Sequence, residues 1–179
     1  MIQTNILKYR GVRTINYINY YLSPLGQILL SSDGENLNGL WFENEKYYPY
    51  NISKGSEKKD LPIFEQTKKW LDIYFAGNNP NFTPSLNLRG TEFQMSVWNI
   101  LNQIPYGEVT TYGEIAREIA KQKGIVRMSA QAVGGAVGRN PISIIVPCHR
   151  VVGSNGALTG YAGGLERKSA LLSLEKILI

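Results

Sequence analysis

The sequence predicts an α+β protein in which a β-rich first half is followed by a mostly helical second half. Three observations carry this. Short runs rich in Ile, Leu and Tyr, parted by turn signals, fill the stretch before residue 43; two capping boxes open apolar-striped helices after residue 90; and a polar stretch with two prolines, residues 78–87, lies between. A division into residues 1–88 and 89–179 follows. With 179 residues, 43% of them hydrophobic and 18% charged, the chain can bury a core and has the composition of a globular protein.

Residues 14–22, 27–31 and 37–42 read as strands of an antiparallel meander, divided by Ser23-Pro24-Leu25-Gly26 and Asp33-Gly34-Glu35-Asn36. Residues 44–59 are polar and read as loop. A helix then follows, with Asp60 as candidate N-cap, Phe64, Thr67, Leu71, Tyr74 and Phe75 on one face, and Gly77 as its stop. In the second half, Thr91 with Gln94 opens a helix whose stripe is Phe93, Val97, Ile100, Leu101 and Ile104. Thr111 with Glu114 opens another, which buries Ile115, Ala116 and Ile119 and gives way near Lys123-Gly124. Ser129 caps a third, short helix carrying Ala130, Ala132, Val133, Ala136 and Val137. The last two helices, joined by a turn, resemble a helix-turn-helix; the small second helix could face either a DNA groove or another helix. Asn140-Pro141 ends it, residues 142–146 read as a buried strand leading into Pro147, Cys148 and His149, and 153–156 form a turn. A closing helix over 165–178 sets Lys168, Leu172 and Glu175 on one stripe.

The chain holds one cysteine and one histidine, and they are neighbours. That count excludes a disulfide within the chain and a zinc site built from several Cys or His ligands, and it makes a reducing cytoplasm the expected setting. No run approaches the roughly 20 apolar residues of a membrane-spanning helix, and residues 1–13 lack the apolar core and cleavage site of a signal peptide. The net charge of +5 is uneven: nine Lys/Arg against eight Asp/Glu in residues 1–88, and ten against six in 89–179. From Arg117 to Arg150 there are six bases (Arg117, Lys121, Lys123, Arg127, Arg139 and Arg150) and one acid, Glu118. Such a stretch is either a footprint for a polyanion or a solvated basic face.

A free thiol with a pKa of about 8.5 is a weak nucleophile at neutral pH, and a neighbouring base or cation raises its thiolate fraction. His149 and Arg150 could both serve Cys148. Consecutive side chains on an extended strand point to opposite faces, so His149 reaches the sulfur only if the chain bends or a water carries the proton. A carboxylate that orients the imidazole would complete the arrangement, and Glu175, on the inner stripe of the last helix, is the candidate. Taken alone, the dipeptide reads more readily as a buried small hydrophobe beside a structural histidine.

The wider pattern changes that balance. Ile145-Val146-Pro147-Cys148-His149-Arg150-Val151-Val152, Pro105-Tyr106-Gly107-Glu108-Val109-Thr110-Thr111-Tyr112, Ala132-Val133-Gly134-Gly135-Ala136, Asn140-Pro141 and Gly160-Tyr161-Ala162-Gly163-Gly164-Leu165 resemble, in order and spacing, the O6-alkylguanine-DNA alkyltransferases. The first half is similar only through Ser23-Pro24-Leu25-Gly26 and Leu40-Trp41-Phe42. The resemblance implies a ribonuclease-H-like N-terminal domain, with an antiparallel sheet and a helix, over 1–88. It implies a DNA-binding and catalytic domain over 89–179, with a helix-turn-helix and a short active-site strand.

The implied activity is direct, stoichiometric and irreversible transfer of the alkyl group from O6-alkylguanine, and from O4-alkylthymine, in duplex DNA to Cys148, with the damaged base flipped out of the stack. By the same resemblance His149 acts as base through a water, Glu175 holds its ring, Tyr112 donates toward the guanine and the Ala162 N–H binds its oxygen. Lys168 supports Tyr112, Val151 and Tyr161 wall the base pocket, and Asn140 braces the hinge. Ala130, Gln131, Gly134 and Gly135, with Arg127, Arg139 and Arg150, are the implied DNA contacts. No cofactor or metal, no membrane and a monomeric state are expected. Two departures stand out: many members carry an arginine where Gln131 stands, and this sequence has no ligands for the N-terminal zinc of some relatives. A thioether has no carbonyl for water to attack, so Cys148 would be consumed. A turnover thiol hydrolase and a non-catalytic sensor of alkylated DNA are the competing readings.

Overall fold

The computed structural model describes residues 16–178. The first strand is β1 (Asn16–Ser23), and the Thr14 and Ile15 of its expected start, like residues 1–13, lie outside the described residues. It turns through Pro24-Leu25 into β2 (Gly26–Ser32), antiparallel in the register Ser23↔Gly26. Gly26 takes φ +111°, which an L side chain rarely adopts, and Ser23 Oγ donates to its carbonyl at 2.6 Å. The third strand, β3 (Leu37–Phe42), pairs antiparallel with β2 as the meander requires.

Residues 44–59 are not all loop. A 3₁₀ turn at Ile52–Gly55 leads into β4 (Ser56–Lys58), which pairs parallel with β1 and completes the order β3-β2-β1-β4. Its three polar residues carry no apolar alternation, so nothing in the sequence marked it as an edge strand.

The helix α1 (Pro62–Phe75) starts at a proline in its first turn, whose fixed φ suits that position. Leu61 is the N-cap residue and makes no side-chain cap; Asp60, the expected cap, instead accepts from Asn19 Nδ2 at 2.9 Å. Phe64, Leu71 and Tyr74 are fully buried in one core cluster with Ile28, Leu30, Leu40 and Phe42 of the sheet. Gly77, at φ +78°, ends the helix as expected, its N–H donating to the Tyr74 carbonyl at 2.9 Å.

Both predicted capping boxes form. Thr91 and Gln94 bond reciprocally at the start of α2 (Glu92–Leu101), and Thr111 and Glu114 do so at the start of α3 (Tyr112–Lys123). The turn after α3 begins at Gly124 in the left-handed region. Ser129 caps α4 (Ala130–Gly138) by accepting from Ala132 N. Val133, Ala136 and Val137 face inward, and the Ala136 carbonyl accepts from Trp98 Nε1 at 2.9 Å, so α4 is held against α2 while its other face stays open.

Residues 142–146 do not form the expected strand. Ile142 makes a single bridge to Leu40, Ile144 has φ +69°, and the Val146 N–H donates to the Ile142 carbonyl at 3.1 Å, closing a turn. The physical reason is Asn140. Its amide takes the backbone groups of Ile142 and Val146 that a strand would offer to neighbours. A 3₁₀ turn, Cys148–Arg150, then leads into a two-residue strand β6 (Val151–Val152), parallel to β5 (Thr110–Thr111). This short pairing sets the start of α3, and so Tyr112, beside the exit from the cysteine turn.

The closing helix α5 (Leu165–Leu174) ends earlier than expected, with Glu175 as C-cap and Lys176 at φ +61°. Lys168, Leu172 and Glu175 are all buried, as their shared stripe predicted. The core runs without a break from the sheet and α1 through α2, α3 and α4 to Cys148. Among the described residues no helix is long and apolar enough to cross a membrane.

Candidate active site

Cys148 opens the 3₁₀ turn and is buried at 5% exposure. The Asn140 amide sits behind it. Nδ2 shares its hydrogens among the Val146 carbonyl (2.8 Å), the Cys148 sulfur (3.1 Å) and the Ile142 carbonyl (3.2 Å), while Oδ1 accepts from Ile142 N at 3.0 Å. Burial pushes the thiol up to about 11, against the lowering effect of the Asn140 bond.

His149 is fully buried next to it and does not touch the sulfur. Its Nε2 lies 2.7 Å from Glu175 Oε1. Burial is the largest influence on Glu175 and favours its neutral form, but the hydrogen bonds and charges of His149 and Arg150 together outweigh it and hold the carboxyl at about 2. An ionised Glu175 only accepts, so Nε2 carries the proton and Nδ1 presents a lone pair, which is buried and has no partner among the described residues. Burial holds the imidazole below its ordinary pKa, which the carboxylate only partly offsets, so the ring is neutral at pH 7.

Two further groups complete the cluster. Arg150 donates to Glu175 from Nε (2.8 Å) and Nη2 (3.1 Å), and from Nη1 to the Ile104 carbonyl at 2.6 Å. Tyr74, from α1, donates to Glu175 Oε1 at 2.7 Å and lies 3.3 Å from His149 Nε2. Sequence reasoning missed Tyr74 as a site residue. Its only signal was a phenol on the buried face of a helix, where the hydroxyl needs a partner.

A cleft of about 530 Å³ opens beside Tyr112 and Tyr161, the two phenols that Cys148 influences. One wall is Tyr112 with Ala130, Gln131, Gly134 and Gly135 of α4; a second is the loop Thr159, Gly160, Tyr161 and Ala162; Lys46 and Tyr47, from the N-terminal half, form a third. The Tyr112 hydroxyl donates to the Thr159 and Gly160 carbonyls, both at 3.1 Å. Lys168 Nζ holds the same loop, donating to the carbonyls of Val151 (2.5 Å), Thr159 (2.7 Å) and Gly160 (3.4 Å), and stands 6.0 Å from the Tyr112 ring centre. Burial lowers Lys168 to about 8. Burial and the nearby Cys148 both raise the pKa of Tyr112 and of Tyr161, keeping their protons on.

Of the expected DNA contacts, Ala130, Gln131, Gly135, Arg127 and Arg139 are exposed and Gly134 partly so. Arg150 is not among them. It is buried against Glu175, because a guanidinium inside the protein must be neutralised there, and it cannot reach a phosphate. Val151 is also corrected: it is completely buried, pairs with Thr110 and lies behind the cleft rather than on its wall.

Comparison with known proteins fits these features. The family model described as 6-O-methylguanine DNA methyltransferase, DNA binding domain, matches residues 92–177, and that of the ribonuclease-like domain of the same proteins matches 16–89. A methylated-DNA–protein-cysteine methyltransferase of Haemophilus influenzae is 46% identical over 165 residues, 92% of this chain and 88% of its own. The chain belongs to the 6-O-methylguanine DNA methyltransferase family. A second methylated-DNA–protein-cysteine methyltransferase, from Methanosarcina acetivorans, is 47% identical over 89% of this chain and 97% of its own. The crystal structure of Mycobacterium tuberculosis OGT in complex with DNA superposes with a TM-score of 0.75 at 43% identity, covering 89% of this chain and 92% of that one. The α+β architecture with a ribonuclease-like first half is thus that of the methyltransferase family.

One more carboxyl approaches this site from the N-terminal half. Glu45 is buried, and its Oε2 accepts from Phe42 N at 3.0 Å and Ser143 Oγ at 3.3 Å. Burial raises it to about 7 despite those bonds. With the Leu40 N–H to Pro141 carbonyl and Ser143 N–H to Leu40 carbonyl bonds, both 2.9 Å, it fastens the edge of β3 to the segment that carries Cys148.

Proposed function

We propose that this protein repairs O6-alkylguanine in duplex DNA by moving the alkyl group to Cys148, once per molecule, and that it treats O4-alkylthymine the same way. Family membership supports the reaction class. The observation that carries the residue assignment is the partnerless Nδ1 of His149: it is the one imidazole lone pair in the chain, next to the one thiol, fixed in that tautomer by Glu175. A buried acceptor of this kind calls for a water, and a water between Nδ1 and the sulfur gives the proton a path that the two side chains lack directly.

In this reading the flipped guanine enters the cleft with Tyr161 and the loop around it as walls. His149 draws the thiol proton through the water. The sulfur attacks the alkyl carbon, the C–O bond breaks, and its electron pair stays on the guanine, which gains a proton as the thiol has lost one. Tyr112 donates toward the leaving guanine and the Ala162 N–H toward its oxygen, which lowers the cost of the developing charge. For this the Tyr112 hydroxyl must exchange the Thr159 and Gly160 carbonyls for the base. Lys168 holds the loop, and Asn140 fixes the sulfur. Arg150 and Tyr74 act through Glu175 as positioning residues. Ala130, Gln131, Gly134, Gly135, Arg127 and Arg139 lie on the DNA side. Residues 1–88 and 89–179 act as two domains, in a monomer working in the cytoplasm.

The test is mass spectrometry of the Cys148 peptide after incubation with O6-methylguanine duplex DNA. A gain of one methyl group, about 14 Da, on the sulfur is expected; repaired DNA beside an unmodified peptide would refute the assignment.

A further inference from the structure

A groove leads away from the base cleft along the seam between the two halves. Tyr47 belongs to both. Past it, a recess of about 260 Å³ is lined by Tyr47, Trp41, Arg89, Arg139 and Trp98, and a further one of about 210 Å³ continues along Trp41 and Arg89. The base cleft and the first recess share Tyr47, and the two recesses share Trp41, Arg89 and Pro141, so the three lie next to one another along the seam.

The groove surface is built from aromatic faces and unpaired cations. Trp41 rests against Gly39: a Cβ on Gly39 would stand 1.9 Å from the indole, so the missing side chain is what lets the ring sit there. Gly90 does the same for Trp98, where a Cβ would come within 2.6 Å of the ring. Tyr47 is flanked by two cations, with the Arg139 guanidinium 5.0 Å and Lys46 Nζ 5.4 Å from its ring centre. Arg89 and Arg139 are exposed, and among the described residues neither has a carboxylate within ion-pair distance. Guanidinium groups offer paired donors to a phosphate, and aromatic faces offer stacking that tolerates any base.

We infer that this groove is a second nucleic-acid track, which takes the strand flanking the flipped nucleotide, its phosphates on Arg89 and Arg139 and a neighbouring base, opened from its pair, against Tyr47 and Trp41. The inference rests on the repair reading above for the placement of the flipped base. It gives the N-terminal half a part in holding DNA.

Binding of the full chain to an O6-methylguanine duplex, measured by fluorescence anisotropy across a salt series, tests it. Arg89→Gln is exposed and leaves the core alone; it should flatten the slope of log affinity against log salt by about 0.7–0.9, the release of one phosphate contact. Trp41→Ala should weaken binding roughly 5- to 150-fold, with Trp41→Phe recovering much of it. Shortening the duplex on the groove side should erase both differences. An unchanged slope in Arg89→Gln with unchanged affinity in Trp41→Ala would overturn the track. Cys148 methylation is followed in the same samples. If the wild type is methylated and the variants bind as it does, the track alone falls; if the wild type binds DNA and stays unmethylated, the repair reading falls and the salt slopes still decide the track.

Discussion

Replacing Glu175 by glutamine removes one charge from the most densely bonded side chain of the site. Its two oxygens accept from Tyr74, His149, Arg150 twice and Gly107 N, at 2.7–3.1 Å, and its side chain is 0% exposed. A glutamine keeps one acceptor and turns a donor toward donors. It also strands the Arg150 guanidinium, and breaking a buried ion pair from one side costs about 3–5 kcal/mol. At about 2–4 °C per kcal/mol for a chain of this size, the melting temperature at pH 7 should fall by roughly 6–20 °C. The acid limb gives an independent figure. Glu175 titrates at about 2 in the folded protein, against an ordinary 4.5. A depressed carboxyl stabilises the fold fully above the unfolded value and loses that contribution as pH falls through the folded one, here about 3 kcal/mol between pH 4.5 and 2. The gap between wild type and variant should therefore be full at pH 5 to 7 and close toward pH 2. Adding Arg150→Met removes the stranded charge and should recover part of the stability while methyl transfer stays slow, which separates the structural from the chemical role. Calorimetry across pH is the assay. A gap below about 2 °C at pH 7, or one that does not change with pH, would show that Glu175 does not neutralise Arg150 in the folded protein.

Other outcomes follow from the same geometry. Tyr74→Phe keeps the ring stacked on Trp70 at 5.3 Å but loses the bond to Glu175, so methyl transfer should slow while DNA affinity holds; an equal or faster single-turnover rate would contradict this. Asn140→Ala leaves the buried Ile142 N–H and the Cys148 sulfur unserved, while the Ile142 and Val146 carbonyls keep the backbone N–H groups of Val146 and Cys148; the cost is about 1–3 kcal/mol, or roughly 2–12 °C in thermal melting, and an unchanged melting temperature would count against the brace. With the Cys148 thiol at about 11, its alkylation by iodoacetamide in the free protein should rise about tenfold per pH unit from pH 7 to 9, and a plateau near pH 8.5 would show an exposed, ordinary thiol instead.

Local signals in the chain were reliable where they set their own outcome. The boxes at Thr91 and Thr111 need only residues three apart, and both formed; so did the Ser129 cap and the stop at Gly77. The stripe Lys168, Leu172 and Glu175 likewise needed only helical spacing to turn inward. Signals failed where a competitor lay outside the local pattern. The apolar run 142–146 has the composition of a strand, but the Asn140 side chain takes its backbone groups. Asp60 could cap a helix, yet Asn19, forty-one residues away, claims its carboxylate. Arg150 was counted with the surface bases because net charge cannot say which base is buried. Its neutraliser is 25 residues away in the chain. Tyr74 is 101 residues from Glu175, and no spacing rule links them.

One thiol is spent per repair, and counting equivalents checks this. With O6-methylguanine duplex DNA in severalfold excess over protein, methyl groups removed from DNA should plateau at one per protein molecule, each recovered on Cys148, and Cys148→Ala should remove none. Repair that continues past one equivalent, or a plateau whose methyl groups lie elsewhere on the chain, would contradict the account.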